Sequence, residues 1–160
     1  MGEGPEPAFQ MELADEAATV ALAARLAALA RPGDVFALRG GLGAGKTVFA
    51  RAFIQKLGDS PEEVPSPTFT LVQTYETGAG TIYHFDLYRI ESPEETDELD
   101  LEDAFADGIS LIEWPDRMGS RLPAERLEVS LAFAGADTAR IVRLTGYGGW
   151  AERLTEAGFA

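Results

Sequence analysis

Residues 40–47, Gly-Gly-Leu-Gly-Ala-Gly-Lys-Thr, combine closely spaced glycines with a lysine and a threonine. Gly40, Gly45, Lys46 and Thr47 meet the pattern G-x-x-x-x-G-K-[ST]. An apolar run at 35–38 leads into this loop and an amphipathic helical pattern leads out of it, which is the context that a phosphate-binding loop requires. The stretch therefore predicts a nucleoside triphosphate site, and a glycine-rich turn that binds nothing is the disfavoured alternative.

Each residue type in this loop has a chemical reason. Backbone N–H groups must approach a polyphosphate closely, and a Cβ at Gly40, Gly43 or Gly45 would obstruct the turn or that approach. Lys46 places a cation against the β- and γ-phosphates, Thr47 offers a hydroxyl to Mg²⁺, and the helix that starts there directs its dipole at the same anion. Lys46 is also a predicted catalytic residue. The predicted nucleotide ligands of the loop are Gly41, Leu42, Gly43, Ala44, Gly45, Lys46 and Thr47.

Two acids follow runs that are typical of strands. Glu113 ends the mostly apolar run 109–113, and an acid at the carboxyl end of a buried parallel strand lies where open α/β sheets bind ligands. We expect Glu113 to act as a Walker B-like ligand of the metal or of water, with Asp86 as its rival or its partner. Both acids are predicted to be catalytic and, with Thr47, to bind Mg²⁺. Trp114 is a candidate nucleotide contact, with a core tryptophan as the alternative.

The elements that must position these residues can be placed along the chain. Asp15 can cap a helix that runs to about Ala30, and the start of this helix at Glu16 could approach the base of a nucleotide. Gly58 stops the helix after the loop, and Ser92 begins an acidic helical segment that Gly108 closes. Antiparallel hairpins are predicted at 70–88 and 127–144, and a short terminal helix around 150–159. The acidic segment is either a solvated face or a docking surface for a basic partner.

These elements predict an α/β protein with a P-loop NTPase-like three-layer fold. A mixed central sheet, flanking helices and a C-terminal antiparallel hairpin are expected. The 160 residues allow one domain, of which residues 1–8 are expected to be a flexible tail.

Two further features leave open questions. The proline-rich stretch 59–68 presents Ser66 and Thr68, which are candidate sensors of the γ-phosphate or simply turn residues before a strand. Alternation along the strand places His84 and Asp86 on one face. A lone strand histidine is more often a hydrogen-bonded structural residue than a catalyst, so we leave His84 out of the chemistry.

Composition limits the function classes. The absence of cysteine removes disulfides and thiolate sites, and a single histidine cannot form a histidine-rich metal cluster, so phosphate-bound Mg²⁺ is the metal that remains. A net charge of −14 argues against a protein that grips nucleic acid by itself, so a partner is expected to hold any RNA. Without an apolar run of membrane length or a secretory leader, we expect a cytosolic chain that contacts no membrane and is a monomer when alone.

These motifs together resemble the TsaE family, small bacterial P-loop ATPases of threonylcarbamoyladenosine tRNA modification. The resemblance spans most of the chain and rests on residues 40–47, 66–72, 83–89 and 113–115, in the family's order and approximate spacing. It implies an ATPase that uses ATP and Mg²⁺ and works with the TsaB–TsaD pair. In that pair TsaD modifies the adenosine beside the tRNA anticodon, so tRNA is reached only through the complex.

The resemblance also implies roles for single residues. Thr47 and Glu113 would hold Mg²⁺, Asp86 would be needed for function, and the Ser-Pro-Thr stretch with Ser66 and Thr68 would behave as a switch loop. Residues near Glu16 and Asp137 would contact the adenosine end of the nucleotide. The chain departs from the family at Gly41, where an aspartate is usual, and this affects only contacts made by that side chain.

Three functions stay open from the residues alone. The first is ATP hydrolysis coupled to a partner complex, and the second is a nucleotide-gated binding module in which occupancy matters and turnover does not. The third, a small-molecule kinase, is weakest because the stretch after Tyr88 is strongly acidic, whereas a kinase lid carries arginines that clamp phosphates.

Overall fold

A computed structural model describes residues 9–41, 43–58, 71–135 and 137–159. Within them one seven-stranded sheet has the order β1-β7-β6-β2-β5-β4-β3. The strands are β1 Phe9–Leu13, β2 Val35–Arg39, β3 Val72–Thr77, β4 Gly80–Asp86, β5 Ile109–Glu113, β6 Arg126–Phe133 and β7 Arg140–Tyr147. The helices are α1 Glu16–Ala27, α2 Lys46–Leu57, α3 Leu101–Asp107 and α4 Trp150–Glu156, with 3₁₀ helices at Pro93–Glu98 and Pro115–Arg121.

The centre of the sheet is parallel and its edges are antiparallel. Strands β6, β2, β5 and β4 run parallel to one another, whereas β7 and β3 pair antiparallel to their neighbours. In β2 and β5 the side chains of 35–38 and 109–113 are buried, as expected for parallel strands that are covered on both faces. The expected α/β fold class, with a mixed sheet and a C-terminal hairpin formed by β6 and β7, is confirmed.

Helices cover both faces of the sheet and form the outer layers. Phe36 of β2 packs edge-on against Phe53 of α2 and Trp150 of α4, with ring centroids 4.8 and 5.2 Å apart. On the opposite face α3 and the 3₁₀ helices enclose a smaller core that contains Phe85, Ile112 and Met118. No helix in the described ranges is both long and apolar enough to cross a bilayer.

The structure differs from the sequence-based expectations at several element boundaries. Residues 9–13, which carried no strand prediction, form β1 because the free edge of β7 provides backbone partners for them. Helix α1 is capped by Asp15, whose Oδ1 accepts a hydrogen bond from the Ala18 N–H (2.9 Å), but the helix ends at Ala27 and not near Ala30. The acidic segment is also not one helix, because Asp100 adopts a left-handed conformation (φ 56°) between the 3₁₀ turn and α3.

Some predicted features lie outside the described residues. These are the expected flexible tail at 1–8, the loop ligand Leu42 and the candidate sensors Ser66 and Thr68.

Candidate nucleotide-binding site

The loop between β2 and α2 packs closely against the neighbouring strand β6 at its first glycine, Gly40. Gly40 has φ 147°, and a Cβ at this position would lie 2.6 Å from the backbone oxygen of Leu131 in β6. Gly45 has φ 109° and directly precedes the first residue of α2. Close packing against β6 is therefore a reason for glycine at position 40 in addition to the expected approach of an anion. Gly41 has open space around it, so the aspartate that is usual in the family would fit there.

A cavity of about 470 Å³ lies at the carboxyl ends of β2, β4 and β5. It brings together most of the predicted site residues, namely Glu16, Gly43, Gly45, Lys46, Thr47, Asp86, Glu113 and Trp114. Val48, Tyr88, Arg89 and Arg140 complete its described wall. Open α/β sheets bind ligands at this edge, and the volume is within the range of small-molecule sites.

Lys46 is buried within the protein, with 5% of its surface exposed. Its Nζ donates to the backbone oxygen of Gly40 (2.5 Å) and lies 3.6 Å from the centroid of the Trp114 ring. Burial lowers the pKa of Lys46, while the negative charges of Glu113 and Asp86 oppose this shift. The ammonium group thus rests on a neutral carbonyl and an aromatic face, which are partners that an anion can replace.

Glu113 forms the centre of the polar cluster at the cavity floor. It is 2% exposed, and its Oε1 lies 3.5 Å from Thr47 Oγ1 at the start of α2. Its other oxygen, Oε2, lies 2.8 Å from Nε2 of His84. Because a carboxylate oxygen can only accept, Nε2 of His84 carries the hydrogen in this bond.

The contact with Glu113 brings His84 into the site, where the sequence analysis had not placed it. His84 is a hydrogen-bonded strand histidine, as expected, but its partner is a predicted metal ligand. Its Nδ1 is buried and has no partner among the described residues. The sequence signal was present in the alternation of β4, which puts His84 on the same face as Asp86. The partner could be recognised only from the pairing of β4 with β5.

Asp86 lies beside Glu113, because the parallel register of β4 and β5 pairs these two residues. Asp86 is 5% exposed, and its Oδ1 accepts a hydrogen bond from the Tyr88 N–H (3.1 Å). The two predicted catalytic acids therefore meet at one edge of the sheet, as expected. Arg89 is also on the cavity wall.

Trp114 turns the chain away from β5 directly after Glu113. It has φ 61° and ψ 53°, a left-handed conformation that is uncommon for a bulky residue. The following Pro115 favours an extended conformation at position 114 and so does not account for this geometry. The Trp114 ring contacts Lys46 and lies 5.0 Å from the Tyr88 ring, so its position is determined by groups of the cavity.

The two residues predicted to contact the adenosine end of a nucleotide, Glu16 and Asp137, are placed differently in the structure. Glu16 lines the main cavity, and together with Thr19 and Thr138 it also lines a smaller cavity of about 40 Å³ beside the loop. The start of α1 and the turn between β6 and β7 therefore approach each other here. Asp137, however, is not on the described wall of either cavity, and its backbone oxygen accepts a hydrogen bond from Arg140 (2.8 Å).

Arg140 of β7 is a site residue that no sequence pattern indicated. Its Nε donates to the Ala44 backbone oxygen (2.9 Å) and its Nη2 to that of Gly43 (3.0 Å), more than ninety residues away along the chain. The guanidinium group also lies 4.5 Å from the centroid of the Phe133 ring, and Phe133 is 58% exposed. Such a contact depends on the closure of the β6–β7 hairpin over the loop.

An ion-pair network holds the end of β2 just before the loop. Arg39 and Arg126 both bind Glu128 of β6, with nitrogen-to-oxygen distances of 2.8 and 2.7 Å, and Arg39 also pairs with Asp116. Burial raises the pKa of Glu128, but hydrogen bonds and charges from the two arginines outweigh it, so the pKa lies below its usual range. The pKa of Arg39 is raised chiefly by its hydrogen bond to Glu128. The network joins the last residue of β2 to β6 on the face opposite α2.

The oxygen ligands at the cavity floor fit Mg²⁺. Mg²⁺ is commonly bound by one or two carboxylates together with phosphate oxygens and water, and a hydroxyl serves as a ligand in phosphate-binding loops. Thr47 and Glu113 provide one hydroxyl and one carboxylate at neighbouring positions, with Asp86 beside them. The described ranges contain no group of three or more His, Cys, Asp or Glu side chains that could hold a metal ion by themselves.

Comparisons with known proteins identify the family of this chain. The family model "Threonylcarbamoyl adenosine biosynthesis protein TsaE" matches residues 13–142. A tRNA threonylcarbamoyladenosine biosynthesis protein TsaE from Bacillus subtilis is 42% identical over 139 residues, which cover 86% of this chain and 85% of the relative. A protein of the same name from Rickettsia bellii is 41% identical over 136 residues, covering 85% of this chain and 94% of the relative.

A solved structure gives the same result at the level of the fold. The crystal structure of Bacillus subtilis YdiB is 34% identical in sequence and matches this fold with a TM-score of 0.79. The match covers 96% of this chain and 94% of that chain. These matches show that the chain belongs to the TsaE family of threonylcarbamoyl adenosine biosynthesis proteins.

Proposed function

We propose that this protein binds and hydrolyses ATP with Mg²⁺ and thereby supports threonylcarbamoylation of tRNA by the TsaB–TsaD complex in the cytoplasm. The observation that carries the proposal is the convergence of Lys46, Thr47 and Glu113 in one cavity at the carboxyl edge of the parallel strands. A loop that only forms a turn would not need a lysine, a hydroxyl and two buried acids around the same space.

Each residue has a defined task in this proposal. Lys46 exchanges the Gly40 carbonyl for the β- and γ-phosphates, and the N-terminus of α2 adds its dipole to the same anion. Thr47 and Glu113 would hold Mg²⁺, which would neutralise the negative charge that develops on the phosphates. Asp86 positions the attacking water or supports the metal from a more distant position.

The charge of the chain indicates how tRNA would take part. With 27 acidic and 13 basic residues, the protein has a net charge of −14 and repels a phosphate backbone. Contact with tRNA is therefore expected only in the complex, where TsaB–TsaD would carry the nucleic acid. The names of the relatives, which link them to tRNA threonylcarbamoyladenosine biosynthesis, support this pathway.

The test is phosphate release from ATP in the presence of Mg²⁺, measured for the chain alone and with TsaB–TsaD from the same organism. We expect release that depends on Mg²⁺, rises with the partners and is abolished in Lys46→Ala, because this variant lacks the cation against the phosphates. Saturable ATP binding without release in either condition would favour a nucleotide-gated binding module. Unchanged release by folded Lys46→Ala would overturn the site itself.

A further inference from the structure

Among the described residues, the hydrogen bonds by which Arg140 joins the phosphate-binding loop to the last hairpin all go to backbone carbonyls. Nε and Nη2 donate to the oxygens of Ala44 and Gly43, and Nη1 donates to those of Asp137 and Ala139 (both 2.8 Å). A guanidinium group has five N–H donors, and these bonds use four of them. The group is thus committed to holding the backbone and has little capacity left for a ligand.

The two carbonyls of the loop determine where its N–H groups point. In a planar trans peptide the N–H and the C=O point in opposite directions, and the described chain contains no cis peptide. The carbonyls of Gly43 and Ala44 face Arg140, so the N–H groups of Ala44 and Gly45 face away from it. The Ala44 N–H bonds to the Gly41 oxygen (3.1 Å), and Gly45 lies on the cavity wall.

We propose that Arg140 is a positioning residue, which holds the loop in the conformation that keeps the Ala44 N–H bonded to the Gly41 oxygen and presents the Gly45 N–H to the phosphates. The inference rests on the proposed nucleotide site but concerns a residue outside its motif. An alternative is that Arg140 only adds positive charge near the anion. The geometry favours positioning because the nitrogens bind carbonyl oxygens on both sides and the guanidinium plane is packed against Phe133.

The variants Arg140→Ala and Arg140→Lys separate these two roles. Arg140→Ala should bind ATP roughly 10- to 100-fold more weakly, as expected for the loss of hydrogen bonds from a charged group. Arg140→Lys keeps the charge, but its single ammonium nitrogen cannot reach the same set of carbonyls, so it should remain about 10-fold weaker than wild type. Arg143→Ala is the matched control, since Arg143 is an exposed arginine on the same strand.

A second measurement needs no nucleotide. Amide hydrogen exchange at Ala44, whose N–H bonds to the Gly41 oxygen, can be followed by NMR in the free protein, and it should be roughly 10-fold faster or more in both Arg140 variants and unchanged in Arg143→Ala. Thermal unfolding of each variant shows whether it is folded.

The outcomes distinguish the two proposals. Wild-type ATP affinity in Arg140→Ala, or its full recovery in Arg140→Lys, would overturn the positioning role. Unchanged exchange at the Ala44 amide in both Arg140 variants would do the same. If the wild-type chain bound no ATP, the proposed function would fall, while faster exchange in the Arg140 variants would still support the effect on the loop.

Discussion

Replacing His84 by leucine tests whether this residue orients Glu113 for metal binding. His84 is fully buried and donates to Oε2 of Glu113 across 2.8 Å, while the other oxygen, Oε1, lies near Thr47. Leucine fills much of the same space and removes the donor. The expected result is weaker Mg²⁺ binding by the ATP complex, together with a loss of about 1–3 kcal/mol in folding stability, because a buried carboxylate oxygen loses its hydrogen-bond donor.

The expected change in Mg²⁺ affinity depends on which energy contributions differ between the metal-free and the metal-bound protein. The hydrogen bond to the carboxylate is present with and without the metal, because His84 binds the oxygen that does not face Thr47. The strength of this hydrogen bond therefore contributes little to the difference in Mg²⁺ affinity between wild type and variant. The orientation of the Glu113 carboxylate does contribute, because without His84 a free side chain must be ordered when the metal binds, at a cost of about 0.5–1.5 kcal/mol. Removing a residue that hydrogen-bonds to a metal ligand typically lowers metal affinity or activity by roughly 10- to 100-fold, so we expect about 10-fold weaker Mg²⁺ binding.

The assay is a Mg²⁺ titration of ATP binding by calorimetry, with Mn²⁺ binding by electron paramagnetic resonance as a direct readout of the metal. His84→Gln is the matched control, because its amide N–H can replace Nε2 and should recover most of the affinity. In a Glu113→Gln background His84→Leu should have almost no further effect. Metal affinity in folded His84→Leu equal to or tighter than that of wild type would refute the reasoning.

Four further predictions concern the acids, the charge and the tryptophan. Glu113→Gln and Asp86→Asn should each retain ATP binding and lose about 10²–10⁴-fold in turnover, and normal hydrolysis by Asp86→Asn with partners present would make Asp86 structural. The isolated chain should show little tRNA affinity at physiological salt in a filter-binding assay, and tight, salt-sensitive binding would contradict this. ATP should change the fluorescence of wild type but not of Trp114→Phe, because the Trp114 ring contacts the lysine that turns to the phosphates. Glu128→Gln should cost about 1–3 kcal/mol at pH 7, which calorimetry would detect as a lower Tm. The pKa of Glu128 is lower in the folded protein than in the unfolded chain. The stability that Glu128 contributes is therefore fully present above the unfolded-state pKa and is lost as the pH falls through the folded-state pKa. A stability difference between wild type and Glu128→Gln that stayed constant down to about pH 3 would contradict this.

Local sequence was sufficient for the parts of the site that are contiguous in the chain. The loop at 40–47 could be predicted because its glycines, lysine and threonine act over a few bonds, within one turn and the start of one helix. Glu113 and Asp86 could be placed at strand ends because apolar runs mark buried strands and the carboxyl ends of parallel strands share an edge. The α/β class followed from the same alternation of apolar strands and amphipathic helices.

Tertiary structure decided which distant residues complete the site. His84 meets Glu113 only because β4 pairs with β5 in this register, and β1 exists only because β7 leaves an edge that needs partners. Arg140 reaches the loop from more than ninety residues away, and Gly40 approaches Leu131 because β6 lies beside β2. The physical reason is that strand pairing and hairpin closure are long-range: a side chain's type limits the bonds that it can make, and the fold alone determines which partner is within 3 Å of it.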